Sequence, residues 1–435
     1  MKRACLVGLL LSGVSLILCV PSEAQNVVTD WNAIASTTIV ANGGKASGSS
    51  AVWFAYASIA VYDAVNAVRQ GRFEPFYYRG AAPDGASDAA AAVAAAHRVL
   101  VSYFPAQQTQ LDTQFNKSLD AITASSSAKS AGVTVGEAAA AAVIATRVGD
   151  GLEANVLYTP GTGPGVWQPT PPGFLPALTP WMGQMRPFTM KSPGQFLPLG
   201  PASLAGEQWV AEFNEVRLFG GTNSTLRTAA QTEIGRFWAV HTGQQYAQAF
   251  GLLAQNYNLD LLDSARLLAM LWTGFADAGI GCWNAKFTYN FWRPVTAINN
   301  GGGNPELTAD VGWTALGTTP NHPEYPSAHG CVTGAVAALV EDFFGTPKVR
   351  VVVDSTGFSD GTHRHTFEST PDWLNEVYWA RVFAGFHYHR SLDEGVTLGR
   401  KVAAQVFAGH FRRSRLRAAS ETAIMEDVPI PETRR

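Results

Sequence analysis

Tyr325-Pro326-Ser327-Ala328-His329-Gly330 combines a proline turn, a hydroxyl, closely spaced backbone N–H groups and a histidine, directly before an apolar helical run. In that run Val332, Ala335, Val336, Leu339, Val340, Phe343 and Phe344 recur at i, i+3, i+4, i+7 and i+8, the period of a helix burying one face. Gly345 and Pro347 stop it. The helix therefore begins at or next to His329, and its unpaired first N–H groups and dipole favour negative charge beside Ser327 and His329. Taken alone, the six residues fit equally well a plain helix start capped by Ser327.

Two further stretches change that balance. Lys286 lies seven residues before Arg293-Pro294. At about 100° per residue, seven steps return to within about 20° of the starting face, so on a continuous helix both cations point the same way. In Ala380-Arg381-Val-Phe-Ala-Gly385-Phe-His387, the six-residue gap leaves Arg381 and His387 about 240° apart on an unbroken helix. They converge only if the helix ends between them, and Gly385 is placed to end it.

These three pieces resemble the signature of the vanadium-dependent haloperoxidase and type 2 phosphatidic acid phosphatase superfamily: Lys, six residues, Arg-Pro; then Pro-Ser-Gly-His; then Ser-Arg, five residues, His, three residues, Asp. Lys286, Arg293, Pro294, Pro326, Ser327, His329, Arg381 and His387 match in type, order and spacing. The sequence departs at Ala328 for Gly, at Ala380 for Ser, and at Ser391 where the final Asp belongs. Ala328 keeps the backbone N–H that an oxyanion would use. Ser391 leaves the carboxylate partner of His387 unassigned, and Glu324 and Asp393 are candidate partners for an arginine or histidine of the site. A rival alignment through His389 and Asp393 loses the arginine spacing.

The chain begins with Lys2 and Arg3, an apolar run from Ala4 to Val20, and Ser22-Glu23-Ala24, which reads as a secretory signal over 1–24 and an exported protein. Cleavage would also remove Cys5 and Cys19, leaving Cys282 and Cys331 either as one bridge tying two motifs together or as two buried thiols. A net charge of -3 without basic runs gives no footprint for nucleic acid. No later segment reads as a clean membrane span, since Asp63 and Asn66 interrupt 51–68, and Asp88, His97 and Arg98 interrupt 86–100.

Residues 25–159 read as an Ala-rich helical region of structural character. Between 160 and 201 proline occurs 11 times, which excludes regular helix. Trp167, Phe174, Leu175, Trp181, Phe188 and Phe196 make this a connector packed over the helical body, suited to walling a site mouth. Residues 202–415 return to helical periodicity, with helices over 204–218, 228–255, 264–281 and 398–411 and one starting at Ser369, while 416–435 is a loose charged tail. Val349 to Val353 is a candidate short strand, and 357–365 reads as loop. The fold class is all-α, which the resemblance also implies.

The permanent cations Lys286, Arg293 and Arg381 outweigh any single carboxylate and suit a tetrahedral oxyanion, with Ser327 and the N–H groups of Ala328 and Gly330 on its remaining oxygens. His387 would supply a ring nitrogen to the central atom, and His329 would exchange a proton with the apical oxygen opposite. The resemblance implies one of two enzymes. In a haloperoxidase, His387 is the vanadium ligand, Lys286 polarises the peroxide, and vanadate with hydrogen peroxide oxidises halide to a hypohalous species that halogenates a small organic acceptor. In a soluble acid phosphatase, His387 attacks a phosphate ester as nucleophile and no cofactor is required. Length, the leader and the aromatic connector favour the haloperoxidase. His322, His363, His365 and His389 read as loop residues or as neighbours of the site, and His97, His241 and His410 as structural.

Overall fold

The computed structural model describes residues 26–414. The leader pattern of 1–24 and most of the charged tail lie outside the described residues. The chain opens with α1 (Val27–Ser36), α2 (Ala51–Val68), α3 (Asp88–Tyr103), α4 (Gln108–Ala121) and α5 (Ser126–Arg147). After the proline-rich stretch come α6 (Glu207–Phe219), α7 (Ala229–Phe237), α8 (Thr242–Asn256), α9 (Leu261–Tyr289), α10 (Pro294–Asn299) and α11 (Ala328–Phe344). A hairpin of β1 (Val351–Phe358) and β2 (Gly361–Phe367) precedes α12 (Thr370–Phe383) and α13 (His389–Gly409). The fold is thus built of helices, with one two-stranded antiparallel sheet among the described residues.

The axis of the molecule is α9, whose residues from Leu262 to Trp283 are nearly all buried. A helix apolar on every side needs neighbours all round, and α2, α8, α11 and α13 supply them. Trp272 of α9 stacks on Phe54 of α2 with centroids 4.1 Å apart. Two described helices, α2 and α5, have the length and apolarity to cross a membrane, but 83% of α2 is enclosed by protein. The apolarity of α2 is used against α3, α5 and α9.

The connector packs on the helical body only in part: Trp167, Trp181 and Phe188 are buried as expected, whereas Phe174 and Leu175 are exposed. Apart from one short turn at Pro180–Gln184 it is irregular, and Trp167, Met182 and Met185 are fully buried. Asp277, inside α9, accepts from the backbone of Phe188 and Thr189 at 2.7 Å each and from the Thr189 hydroxyl at 2.6 Å, pinning the connector to the helix.

Helix α11 starts as expected. Ser327 is its N-cap and accepts from Gly330 N at 3.3 Å, and Gly345 ends it in the left-handed region at φ 70°. Its partner is α13, and the two backbones touch through glycines. A Cβ built on Gly399 would lie 2.1 Å from the Cys331 carbonyl oxygen, and one on Gly395 would lie 2.8 Å from that of Ser327. Only glycine permits this approach.

Five expectations are corrected. The span 228–255 is two helices, because the chain leaves helix at Trp238 and restarts at Thr242 under a His241 cap. The helix expected over 264–281 runs on to Tyr289, and the closing helix is longer than expected, starting at His389. Residues 357–365 are not loop. Val353 pairs with His365 and Asp354 with Arg364 in the hairpin, and Arg364 holds Asp354 at 2.6 Å across it. Lys286 and Arg293 do not share one helix, since Asn290 closes α9 at φ 51° and Arg293 is the residue capping α10.

Candidate active site

The three motifs meet in one buried place. Lys286 sits in the last turn of α9, Arg293 at the start of α10, Ser327 and His329 at the start of α11, Arg381 in the last turn of α12, and His387 just before α13. Gly385, at φ 74°, turns the chain after α12 and lets Arg381 and His387 converge, as their spacing requires. Lys286, Arg293, Ser327 and Glu324 have no exposed surface, and Arg381 and His387 almost none.

Each side chain is held. Lys286 Nζ donates to the carbonyls of Pro323, Glu324 and Pro326 at 2.8, 2.9 and 2.5 Å, so the segment before α11 is wrapped around it. Arg293 donates to the carbonyls of His322 at 2.9 Å and Phe386 at 3.1 Å, and its guanidinium lies 3.3 Å from His387 Nε2 and 3.0 Å from His322 Nδ1. Arg381 Nη1 donates to the Trp238 carbonyl at 2.7 Å, while its buried Nε has no partner among the described residues. His387 Nδ1 lies 2.7 Å from Glu324 Oε1. His329 Nε2 lies 3.3 Å from the Thr242 hydroxyl, which in turn meets Ser47 at 3.1 Å.

The carboxylate partner of His387 is therefore Glu324, not a residue following it. Ser391 instead contributes its carbonyl to Ser327 N at 3.0 Å. The rival alignment fails in space, because His389 turns to Tyr378 and Glu215 and Asp393 bonds Tyr378. His322 does border the site, whereas His363 and His365 belong to the hairpin. Cys282 and Cys331 are both buried free thiols.

A cavity of about 160 Å³ opens on this cluster. Its wall includes His322, His329, Arg381 and His387, the rings of Trp238, Trp283, Phe275 and Phe386, Leu178 from the connector, and Ser47 and Gly48 from before α2. Sequence reasoning missed Trp238, Thr242, Ser47 and Gly48. They come from segments far from the motifs and carry no local signal.

The electrostatics are one-sided. Three cations face a single buried carboxylate, Glu324. Burial, reinforced by mutual repulsion, lowers Arg381 to about 9. Burial also lowers Lys286 to about 8 and Arg293 to about 10. Burial and the neighbouring cations hold His322, His329 and His387 well below the usual histidine value. Burial pushes Glu324 up to about 7 despite Lys286 and Arg293. Uncompensated buried positive charge is costly, and a bound anion of two or three charges relieves it. Among the described residues no cluster of three or more His, Cys, Asp or Glu could hold a bare metal ion. The donor set fits an oxyanion such as vanadate, with His387 as the group able to bond its centre.

Arg381→Ala should weaken binding of inorganic phosphate by roughly ten- to a hundredfold, since each charge-assisted hydrogen bond contributes about 1.5–3 kcal/mol. Calorimetric titration with phosphate measures this directly. Unchanged affinity would remove Arg381 from the anion site.

Residues 266–414, which contain all three motifs, match the family model described as the VCPO second helical-bundle domain. Over 148 residues the chain is 30% identical to vanadium chloroperoxidase from Curvularia inaequalis, covering 28% of this chain and 24% of that protein. The chain thus matches about a quarter of that relative's length. The crystal structure of the first bacterial vanadium-dependent iodoperoxidase superposes with a TM-score of 0.76 at 22% identity, over 90% of this chain and 98% of that one. A holo-type bacterial vanadium-dependent chloroperoxidase superposes with a TM-score of 0.66 at 16% identity, over 85% and 92%. At these identities the structural likeness establishes the fold.

Proposed function

We propose that this chain, whose residues 266–414 match the VCPO second helical-bundle domain, is an exported vanadate-dependent haloperoxidase oxidising halide with hydrogen peroxide. The observation that carries the reading is the buried set of Lys286, Arg293 and Arg381 around His387, opposed by Glu324 alone.

When bound, vanadate supplies the Lewis acidity that activates peroxide toward halide. The protein's part follows from its contacts. Arg381, whose buried Nε has no partner among the described residues, and Arg293 would hold oxyanion oxygens, Lys286 would add a point charge, and the N–H groups at the start of α11 would complete the cradle. Glu324 accepts the Nδ1 proton of His387, which leaves Nε2, facing Arg293 Nη1 at 3.3 Å, as the ring atom that would serve as ligand. His329, kept neutral by its surroundings, would exchange a proton with an oxygen of the bound group. The aromatic wall limits water, which strengthens every charge interaction inside.

A phosphatase working through a phosphohistidine would use the same residues. What favours the haloperoxidase is the match of residues 266–414 to the VCPO second helical-bundle domain. The deciding experiment strips the purified protein of bound oxyanion, adds orthovanadate or buffer, and assays iodide, bromide and chloride oxidation alongside hydrolysis of an aryl phosphate. Vanadate-dependent halide oxidation is expected. Ester turnover without it would reverse the proposal.

A further inference from the structure

Trp238 is fastened to α12 at both of its ends. Its carbonyl accepts from Arg381 Nη1 at 2.7 Å, and its indole N–H donates to Glu376 Oε1 at 2.9 Å, from a residue five positions earlier on the same helix. Trp238 begins the non-helical segment between α7 and α8 that lines the cavity and delivers Thr242 to His329.

Behind Glu376 stands a chain of ionisable groups. His365 Nδ1 lies 2.6 Å from Glu376 Oε1, and its Nε2 lies 3.2 Å from Glu233 on α7. His363 lies 3.1 Å from the same Glu233 and 3.0 Å from Asp360 at the hairpin turn. The His365 ring stacks on Phe237 at 3.7 Å, next to Trp238. Burial opposes protonation of His365, but the Glu376 and Glu233 carboxylates outweigh it and raise its value.

We infer that Glu376 is a positioning residue for the oxyanion site, acting through Trp238, whose carbonyl orients Arg381. The inference rests on the reading of this site as an oxyanion site. It gives the hairpin a role: His365 braces Glu376 from the side remote from the cavity. A guanidinium whose anchoring carbonyl drifts samples more rotamers, and the anion must order it again on binding.

The test uses the full mature chain, inorganic phosphate as probe, and the Trp238 indole N–H resonance, assigned with Trp238→Phe. Glu376→Ala should shift that resonance upfield and weaken phosphate by about three- to tenfold. Glu376→Gln keeps an acceptor oxygen and should restore affinity to within about twofold. Wild-type affinity in Glu376→Ala overturns the inference, as does equal loss in both variants with an unmoved indole resonance. Failure of the haloperoxidase reading is a separate result, since wild-type protein would then bind phosphate without vanadate-dependent halide oxidation.

Discussion

His387→Ala is expected to lose tight vanadate binding. No other described side chain both borders the cavity and has a neutral ring nitrogen fixed by a buried carboxylate. The loss should exceed the roughly 10- to 100-fold that removing a ligand's supporting partner costs, and Glu324→Gln should fall within that smaller range. His389→Ala should bind vanadate as wild type, because its ring faces Tyr378 and Glu215. Vanadate content after gel filtration, with the melting temperature of each variant alongside, separates lost ligation from lost folding. If His389→Ala lost vanadate and His387→Ala kept it, the assignment through Arg381 and His387 would be wrong.

His329→Ala should give the opposite pattern, keeping phosphate and vanadate while turnover falls by roughly 10²- to 10⁴-fold, the usual contribution of a positioned general acid or base. In the anion-free protein, burial and the charges of Arg381, Lys286 and Arg293 hold His329 neutral to well below its ordinary value. A bound anion adds negative charge and should raise it, so its NMR titration midpoint should move up on addition of phosphate. Stability follows the same sign. A histidine depressed in the folded state contributes stability above its unfolded value of about 6.5 that is lost as pH falls. Glu324, pushed up to about 7, works the other way and offsets one of the three histidines. The anion-free protein should therefore melt earlier as pH falls from 7 toward 5, and phosphate should restore much of the loss. Near-normal turnover in His329→Ala would reduce the opening motif to a helix start.

The legibility of this chain divides by the range of the forces involved. Ser327 capping α11, Gly345 ending it, Gly385 breaking the chain after α12, and the Ser369 cap of α12 are local, each set by the backbone demands of a few neighbouring residues. The sequence alone determined them, together with the helical class and the eight motif residues. It misplaced Lys286 and Arg293 on one face because periodicity carries no mark of the left-handed Asn290 that separates them. It read 357–365 as loop because a two-stranded hairpin gains its stability from cross-strand pairs and from packing against α7, α8 and α12, not from propensity along the strand. The partner of His387 was the largest gap. Glu324 precedes it by 63 positions and is aimed at it only because Lys286 gathers the carbonyls of 323–326 around its ammonium and α13 lies glycine-close to α11. Residue type and spacing thus determined which charges this protein brings to its site. Tertiary packing decided which of them touch, because desolvated charges must find partners in space and those partners come from wherever the chain happens to pass.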